Sequence, residues 1–165
     1  MINADVLATL PLTRPLSPAT RRTLARHAEL CEYGPGTILW TAGEQIDFLA
    51  VVLDGRVRIA RKGMGQQDVV HTEGPGGTLG EVPLFATSPT PVTAIAVETT
   101  RCLIITRHAL ESAIAVDQQV VWILLRRMAD RVRLLVDRLD HLALHSATTR
   151  FAPLLVQAAG GYQVS

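Results

Sequence analysis

The sequence is poor in cysteine, in net charge and in long apolar runs, and each shortage excludes a class of protein. Two cysteines among 165 residues are too few for a disulfide framework or a cysteine-ligated cluster. A net charge of +1 gives no overall attraction to nucleic acid or to a membrane surface. No apolar run approaches the roughly 18 residues of a membrane span, and no signal peptide is evident at the N-terminus. We therefore expect a cytoplasmic protein without a membrane partner.

Hydrophobic residues are plentiful, at 48% of the chain, and suffice for a core. The length is that of one domain with or without an extension. From Cys31 to Thr106, short strand-like runs alternate with turn signals. Asp54-Gly55 is a strong hairpin signal between Val52 and Val57, and residues 62–65 form a second hairpin loop. About eight such strands indicate a mainly β fold, an antiparallel barrel or jelly roll.

Helices flank this β region on both sides. Apolar residues at helical spacing predict a short helix from Ala4 to Leu10. Ser17 is the expected N-cap of the next helix, with Pro18 at its first position. After the last strand, residues 107–116 read as another short helix, and Asp117 caps a longer one that runs to about Ala143.

The long helix carries a regular apolar seam, whose steps alternate four and three over about three heptads. Its members are Val121, Leu125, Met128, Val132, Leu135, Leu139 and Leu142. Packing on the chain's own barrel is the simpler use of such a seam. The unbroken 3.5-residue period favours instead a parallel homodimer through residues 117–145. Leu124, Leu134 and Val136 widen the apolar face and are placed to contact the barrel.

A glycine-rich approach at residues 74–77 leads to Gly80 and Glu81, which are followed by a short apolar run and a loop of turn-forming residues. This pattern indicates a tight turn that feeds one helical turn. Glycine lets the backbone approach a ligand closely. The first amides of a helix lack intrahelical partners, and together with the helix dipole they favour an anion, most naturally a phosphate.

The stretch from Thr78 to Ala96 resembles the phosphate-binding cassette of the cyclic-nucleotide-binding fold of CRP/FNR-type regulators. The usual cassette runs glycine–glutamate–leucine–alanine–leucine, then a loop, then proline–arginine–serine–alanine–threonine. In this chain the glycine and glutamate are Gly80 and Glu81, but the arginine falls on Thr90 and the serine on Pro91. Further glycines at the family's spacing extend the resemblance over residues 15–115. It implies a cyclic-nucleotide-binding-like jelly roll (a double-stranded β-helix) followed by a long dimerisation helix.

The resemblance also implies a ligand site, formed by Gly80, Glu81, Val82, Pro83, Thr90 and Pro91, with Leu135 of the long helix facing the base. In the family, the arginine pairs with the cyclic phosphate and the glutamate holds the ribose hydroxyl. Thr90 offers one hydroxyl in place of a bidentate fork, and the apolar Leu135 reads no base edge. We therefore expect cyclic AMP to bind weakly or not to be the physiological ligand. The expected ligand is a cyclic nucleotide bound atypically, or another small anion; no cofactor is established.

Three segments follow from this resemblance: an effector domain at 1–116, a dimerisation helix at 117–145, and the start of a truncated or absent DNA-binding domain at 146–165. The predicted function is the effector-sensing and dimerisation region of a CRP/FNR-like transcriptional regulator, which is not an enzyme. DNA is expected as a partner only through a C-terminal helix-turn-helix, which this sequence does not contain.

Two alternatives remain. A cupin-type enzyme needs paired histidines and a carboxylate to hold a metal, whereas the β region contains only His71. His141 and His145, spaced i, i+4, lack a visible third ligand, so no metal site is predicted. A ligand-free dimerisation or interaction module, in which a degenerate cassette is only a scaffold, is favoured by the missing arginine.

Overall fold

The structure, a computed structural model, describes residues 2–62, 67–86 and 88–137. The β-strands are β1 (Ala28–Tyr33), β2 (Ile38–Trp40), β3 (Phe48–Asp54), β4 (Val57–Lys62), β5 (Gln67–Glu73), β6 (Thr78–Leu79), β7 (Thr93–Ala96) and β8 (Thr100–Thr106). The helices are α1 (Ala4–Thr9), α2 (Pro18–His27), α3 (Glu81–Phe85) and α4 (Arg107–Val116), followed by α5 at residues 119–137.

The strands form two four-stranded antiparallel sheets. The first sheet has the order β1-β8-β3-β6, and the second has the order β2-β7-β4-β5. This arrangement confirms the predicted antiparallel jelly roll of about eight strands. The chain divides into two compact units, Met1–Leu125 and Arg126–Ser165. The segment boundaries at 116 and 145 stay predictions.

The first sheet is covered on both faces. Along β3, Leu49 and Val51 pack against the helices, whereas Ala50 and Val52 face the second sheet. All four side chains are fully buried. A strand that is buried on both faces requires a continuous apolar run, and this explains why β3 lacks the alternation of a half-exposed strand.

The helix boundaries follow their capping residues. The Ser17 side chain accepts a 3.1 Å hydrogen bond from the Thr20 amide, and Pro18 occupies the first turn of α2, as predicted. The α4 range equals the predicted range, with Thr106 as its N-cap. Asp117 Oδ1 accepts a 3.0 Å bond from the Gln119 amide, which confirms its predicted role at the start of the long helix.

One of the two predicted hairpins is wrong. β4 and β5 do pair in antiparallel register across the 62–65 segment, although residues 63–66 lie outside the described chain. The Asp54-Gly55 turn, in contrast, joins β3 of the first sheet to β4 of the second. The Arg56 amide beyond this turn donates a 3.1 Å hydrogen bond to Thr100 Oγ1 at the start of β8. The turn is therefore fixed to β8 and carries the chain from one sheet to the other.

Helix α5 begins within the first compact unit. Leu124 is buried in the cluster beneath the helices, as predicted for a residue that contacts the roll. The same prediction is wrong for Leu134 and Val136, which are exposed. On the seam, Val121, Leu125, Val132 and Leu135 are exposed. Leu139 and Leu142 lie outside the described residues. Within the described part of the chain, no helix is long and apolar enough to cross a membrane.

Candidate functional site

The candidate site is built on the turn at Gly80. Strand β6 pairs with Ala50 and Val51 of β3, and Gly80 follows it with φ +93°. A Cβ atom on this residue would lie 2.6 Å from the carbonyl oxygen of Phe48. Glycine is therefore required twice, by the left-handed backbone and by the close approach of β3.

The glycine-rich approach is fixed to the same strand. The Gly76 amide donates a 2.8 Å hydrogen bond to the Val52 carbonyl, and the Val52 amide donates a 2.9 Å bond to the Gly77 carbonyl. These two bonds extend the contact of this segment with β3 upstream of β6. The turn at Gly80 is thus held at a defined place on the first sheet.

Helix α3 is only one turn long. The Leu84 amide donates to the Gly80 carbonyl at 2.9 Å, and Leu84 anchors the helix in the cluster beneath the other helices. Pro83 has no amide hydrogen, so the helix start offers fewer donors than three ordinary residues would give. Val82 and Phe85 remain exposed. Gly80, Glu81, Val82 and Pro83 therefore form one continuous part of the predicted site.

Glu81 is buried, with 5% of its surface exposed. The Thr78 hydroxyl donates a hydrogen bond to the Glu81 carboxylate, and the carboxylate lies in the first turn of α3, where the helix dipole favours negative charge. Sequence reasoning missed Thr78 as its partner. No local pattern indicated it: Thr78 lies on β6 and Gly80, not Thr78, is the N-cap of α3, so the Thr-x-x-Glu spacing is not a capping box here.

Thr90 and Pro91 form the other predicted part of the site. Thr90 is 2% exposed, and its amide donates a 2.9 Å bond to the Glu44 carbonyl. The Thr90 carbonyl accepts a 2.8 Å bond from the Gly43 amide. Thr90 is thus held inside the protein against the turn before β3, whereas Pro91 is exposed. The backbone bonds of Thr90 run to this turn, and its hydroxyl lies 3.4 Å from both the amide nitrogen and the carbonyl oxygen of Val92.

Arg56, Arg58 and Arg101 of the β region are candidates to replace the missing cassette arginine. Arg56 is exposed and pairs with Glu98 at 3.6 Å, and Arg101 is exposed on β8. Arg58 lies on β4 between two residues whose side chains face the interior, so its own side chain faces outward. The Arg58 Nε atom is buried and has no hydrogen-bond partner among the described residues.

Arg107 connects α3 to the rest of the fold and was not anticipated from the sequence. Its guanidinium Nη2 donates a hydrogen bond to the Leu84 carbonyl near the end of α3. Its backbone amide donates a 2.6 Å bond to the Asp47 carbonyl. As the first residue of α4, Arg107 therefore ties α4 to the cassette helix.

Inside the roll, a histidine and a carboxylate lie on β5. His71 Nε2 is 3.6 Å from Glu73 Oε1, and both side chains are largely buried. Across residues 2–62, 67–86 and 88–137, no group of three or more histidine, cysteine or acidic side chains is placed to hold a metal ion. His141 and His145 lie outside these ranges.

Two thiols and a phenol share the interior face of the first sheet. Burial, followed by the neighbouring Cys31 thiol, raises the pKa of Cys102 to about 11. Burial, and then the charge and hydrogen bond of Cys31, raises the pKa of Tyr33 to about 12. Cys102 and Tyr33 therefore hold their protons at neutral pH.

Residues 30–117 match the family described as the cyclic nucleotide-binding domain. A CRP-like cAMP-activated global transcriptional regulator of Mycobacterium tuberculosis is 26% identical over 156 residues, which are 94% of this chain and 70% of that protein. The HTH-type transcriptional regulator Cmr of the same organism is 26% identical over 82% of this chain and 56% of that protein.

Solved structures with the same fold support this family match. The catabolite activator protein of Thermus thermophilus superposes with a TM-score of 0.73 at 28% identity, over 92% of this chain and 72% of that chain. The N-terminal domain of a transcriptional regulator from Streptomyces coelicolor gives 0.64 at 28% identity, over 81% and 96%. The family match covers more than half of the sequence, so this chain belongs to the cyclic nucleotide-binding domain family, and its relatives are CRP-like transcriptional regulators.

Proposed function

We propose that this chain is the effector-sensing and dimerisation region of a CRP-like transcriptional regulator. Its cassette binds a small anion, and cyclic AMP binds there only weakly. The proposal rests on the turn at Gly80. This turn has a positive φ and approaches Phe48 closely, as a glycine at the cassette position requires, and the chain belongs to the cyclic nucleotide-binding family. The relatives are named as transcriptional regulators, and we extend that role to this protein.

The residues of the cassette do not fit the family's usual mode of binding a cyclic phosphate. That mode needs a cation or several donors around the buried charge. Pro83 and Pro91 contribute no amide hydrogen, and the backbone groups of Thr90 bond to Gly43 and Glu44. The Glu81 carboxylate adds a like charge, which is already bonded to Thr78. This disagreement supports weak binding of cyclic AMP.

The dimerisation part of the proposal rests on the exposed seam of α5. Val121, Leu125, Met128, Val132 and Leu135 follow one another at alternating steps of four and three. Met128 is half-buried and the other four are exposed in a single chain. An apolar stripe with this period is the pattern of a coiled-coil partner surface. We assign it to the equivalent helix of a second copy.

Titration calorimetry of the full chain with cyclic AMP and cyclic GMP tests the ligand assignment. We expect dissociation constants weaker than about 0.1 mM, because the charge-pairing arginine is missing. In parallel, the melting temperature is measured with inorganic phosphate and a panel of nucleotides, since a ligand of the native state raises it. Tight binding of cyclic AMP would overturn the assignment.

Glu81→Gln distinguishes an anion at the cassette from an anion elsewhere. The amide keeps an acceptor for Thr78 and removes the like charge, so anion binding near Gly80 should strengthen. Glu98→Gln is the matched control, because Glu98 is exposed and pairs with Arg56 on the surface. An equal effect of both variants would place the anion outside the cassette.

A ligand-free dimerisation module is the second candidate function. The specific observation in its favour is that Thr90, at the position of the family's arginine, is buried and tied to the turn at residues 43–44. A dimeric protein whose melting temperature responds to no anion or nucleotide in the panel would support this candidate over the sensor.

A further inference from the structure

The only two cysteines of the chain lie directly opposite each other on neighbouring strands. In the antiparallel register of β1 and β8, Cys31 pairs with Cys102, between the pairs Leu30–Leu103 and Glu32–Arg101. Both side chains face the interior between the two sheets, because Cys102 is a member of that cluster and Cys31 packs against it.

Facing positions of this kind suit a covalent cross-link. Directly opposed residues of an antiparallel pair have Cβ atoms about 4.5–5.5 Å apart, and a disulfide requires about 3.5–4.5 Å. A small approach of one strand therefore suffices. β1 is the edge strand of the first sheet, so it can close on β8 without displacing another strand.

The two thiols differ in access and have separable roles. Cys31 is partly exposed, whereas Cys102 is fully buried. Tyr33, two residues along β1 on the same face, shares a hydrogen bond with the Cys31 thiol. An oxidant from solution therefore meets Cys31 first, and the sulfur nearest to the oxidised Cys31 is that of Cys102.

We propose that Cys31 and Cys102 are a redox modification site, which a hydroperoxide converts to a reversible cross-strand disulfide. The Cys31 thiol gives up its proton, its sulfur attacks one peroxide oxygen to form a sulfenic acid, the O–O bond breaks, and the departing oxygen takes the proton and leaves as water or alcohol. The Cys102 sulfur then attacks the Cys31 sulfur, the S–O bond breaks, and a second water leaves with the thiol proton. Two thiols are oxidised by two electrons, and one peroxide is reduced. A dithiol reverses the step.

The test treats the reduced 165-residue chain with hydrogen peroxide under native conditions and follows its intact mass. We expect a monomer lighter by about 2 Da, which dithiothreitol restores. Alkylation of Cys31 with iodoacetamide before peroxide should abolish this mass loss without any substitution. Circular dichroism verifies that the chain stays folded during the reaction.

Two variants separate the roles of the cysteines. In Cys102→Val, the Cys31 sulfenic acid has no neighbour to resolve it, and dimedone should trap it as an adduct. In Cys31→Ser, the remaining buried thiol should react at least about tenfold more slowly than Cys31 does in the unsubstituted chain, because it is closed to solvent. If Cys102→Val fails to fold, the alkylation experiment carries the test.

Products other than the internal disulfide would overturn the proposal. These are a disulfide-linked dimer as the main species on a non-reducing gel, or sulfinic and sulfonic acids without any species lighter by about 2 Da. Retention of both free thiols after peroxide treatment, counted in denaturant, would overturn it equally.

Discussion

The hydroxyl of Thr20 donates a 2.9 Å hydrogen bond to Oδ2 of Asp117, and this bond joins α2 to the turn from which α5 begins. Thr20 is fully buried. The other carboxylate oxygen of Asp117 accepts from the Gln119 amide at 3.0 Å. One side chain thus fixes the start of the long helix and attaches that start to the helix that precedes the roll.

Thr20→Val should lower the free energy of unfolding by about 1 kcal/mol, because it leaves a partly buried carboxylate oxygen without its donor. Guanidinium denaturation measures this change. Thr23→Val in the same helix is the matched control, since the Thr23 hydroxyl bonds only to the Ala19 carbonyl at 3.3 Å. Equal losses for the two variants would show that the bond to Asp117 contributes nothing.

Gly80→Ala should destabilise the protein by about 3 kcal/mol or more. A left-handed backbone alone costs an alanine about 1 kcal/mol, and the new Cβ would also lie 2.6 Å from the Phe48 carbonyl oxygen. Gly43→Ala isolates the backbone part, because Gly43 has φ +96° and open space around it. Chemical denaturation should show a clearly smaller loss for Gly43→Ala. Similar losses would contradict the close approach at Gly80.

Restoring an arginine to the cassette should succeed at only one of two neighbouring positions. Thr90→Arg forces a charge into a buried site and should cost about 3 kcal/mol or more. Pro91→Arg places the same side chain on the surface and should leave stability within about 0.5 kcal/mol. Thermal unfolding distinguishes the two variants. A stable Thr90→Arg protein would mean that the loop opens easily.

Leu135→Glu should convert the proposed dimer into a monomer, because it puts a charge into the apolar seam. Leu134→Glu makes the same change at the next residue, off the seam, and the two leucines are similarly exposed, at 45% and 50%. Sedimentation equilibrium gives the molecular mass of each. Dissociation by Leu134→Glu alone, or by neither variant, would contradict the proposed seam.

Stability should fall as the pH rises from about 9 to about 12. The folded state raises the pKa of Cys102 from 9.0 to about 11 and that of Tyr33 from 10.0 to about 12. The folded protein therefore binds more protons than the unfolded chain in this window, and its stability is full below about pH 9. Guanidinium denaturation across the window measures the loss. Tyr33→Phe should remove the upper part of the slope, and an unchanged slope would contradict the shift at Tyr33.

Local patterns were sufficient where local contacts decide the structure. Ser17 caps α2, as its position in the sequence predicts. The alternation of strand-like runs with turn signals predicted the jelly roll. The Asp54-Gly55 hairpin was wrong because β3 pairs with β8, a strand far along the chain, and a two-residue turn signal contains no information about such a partner.

The sequence likewise predicted one part of the candidate site and missed another. Gly80 and Glu81 lie at a cassette turn, as the motif indicates, because that turn is encoded by contiguous residues. The burial of Thr90 depends on the Glu44 carbonyl, and the facing of Cys31 and Cys102 depends on the register of two remote strands. Neither relationship has a local signature in the sequence.

The hydrogen bond from Arg107 to Leu84 connects the cassette helix to the start of α4. The Leu84 carbonyl, one residue before the end of α3, is bonded to the first residue of α4, and α4 ends at Asp117, from which α5 begins. A displacement of α3 would therefore reach the start of α5 through about three turns of α4.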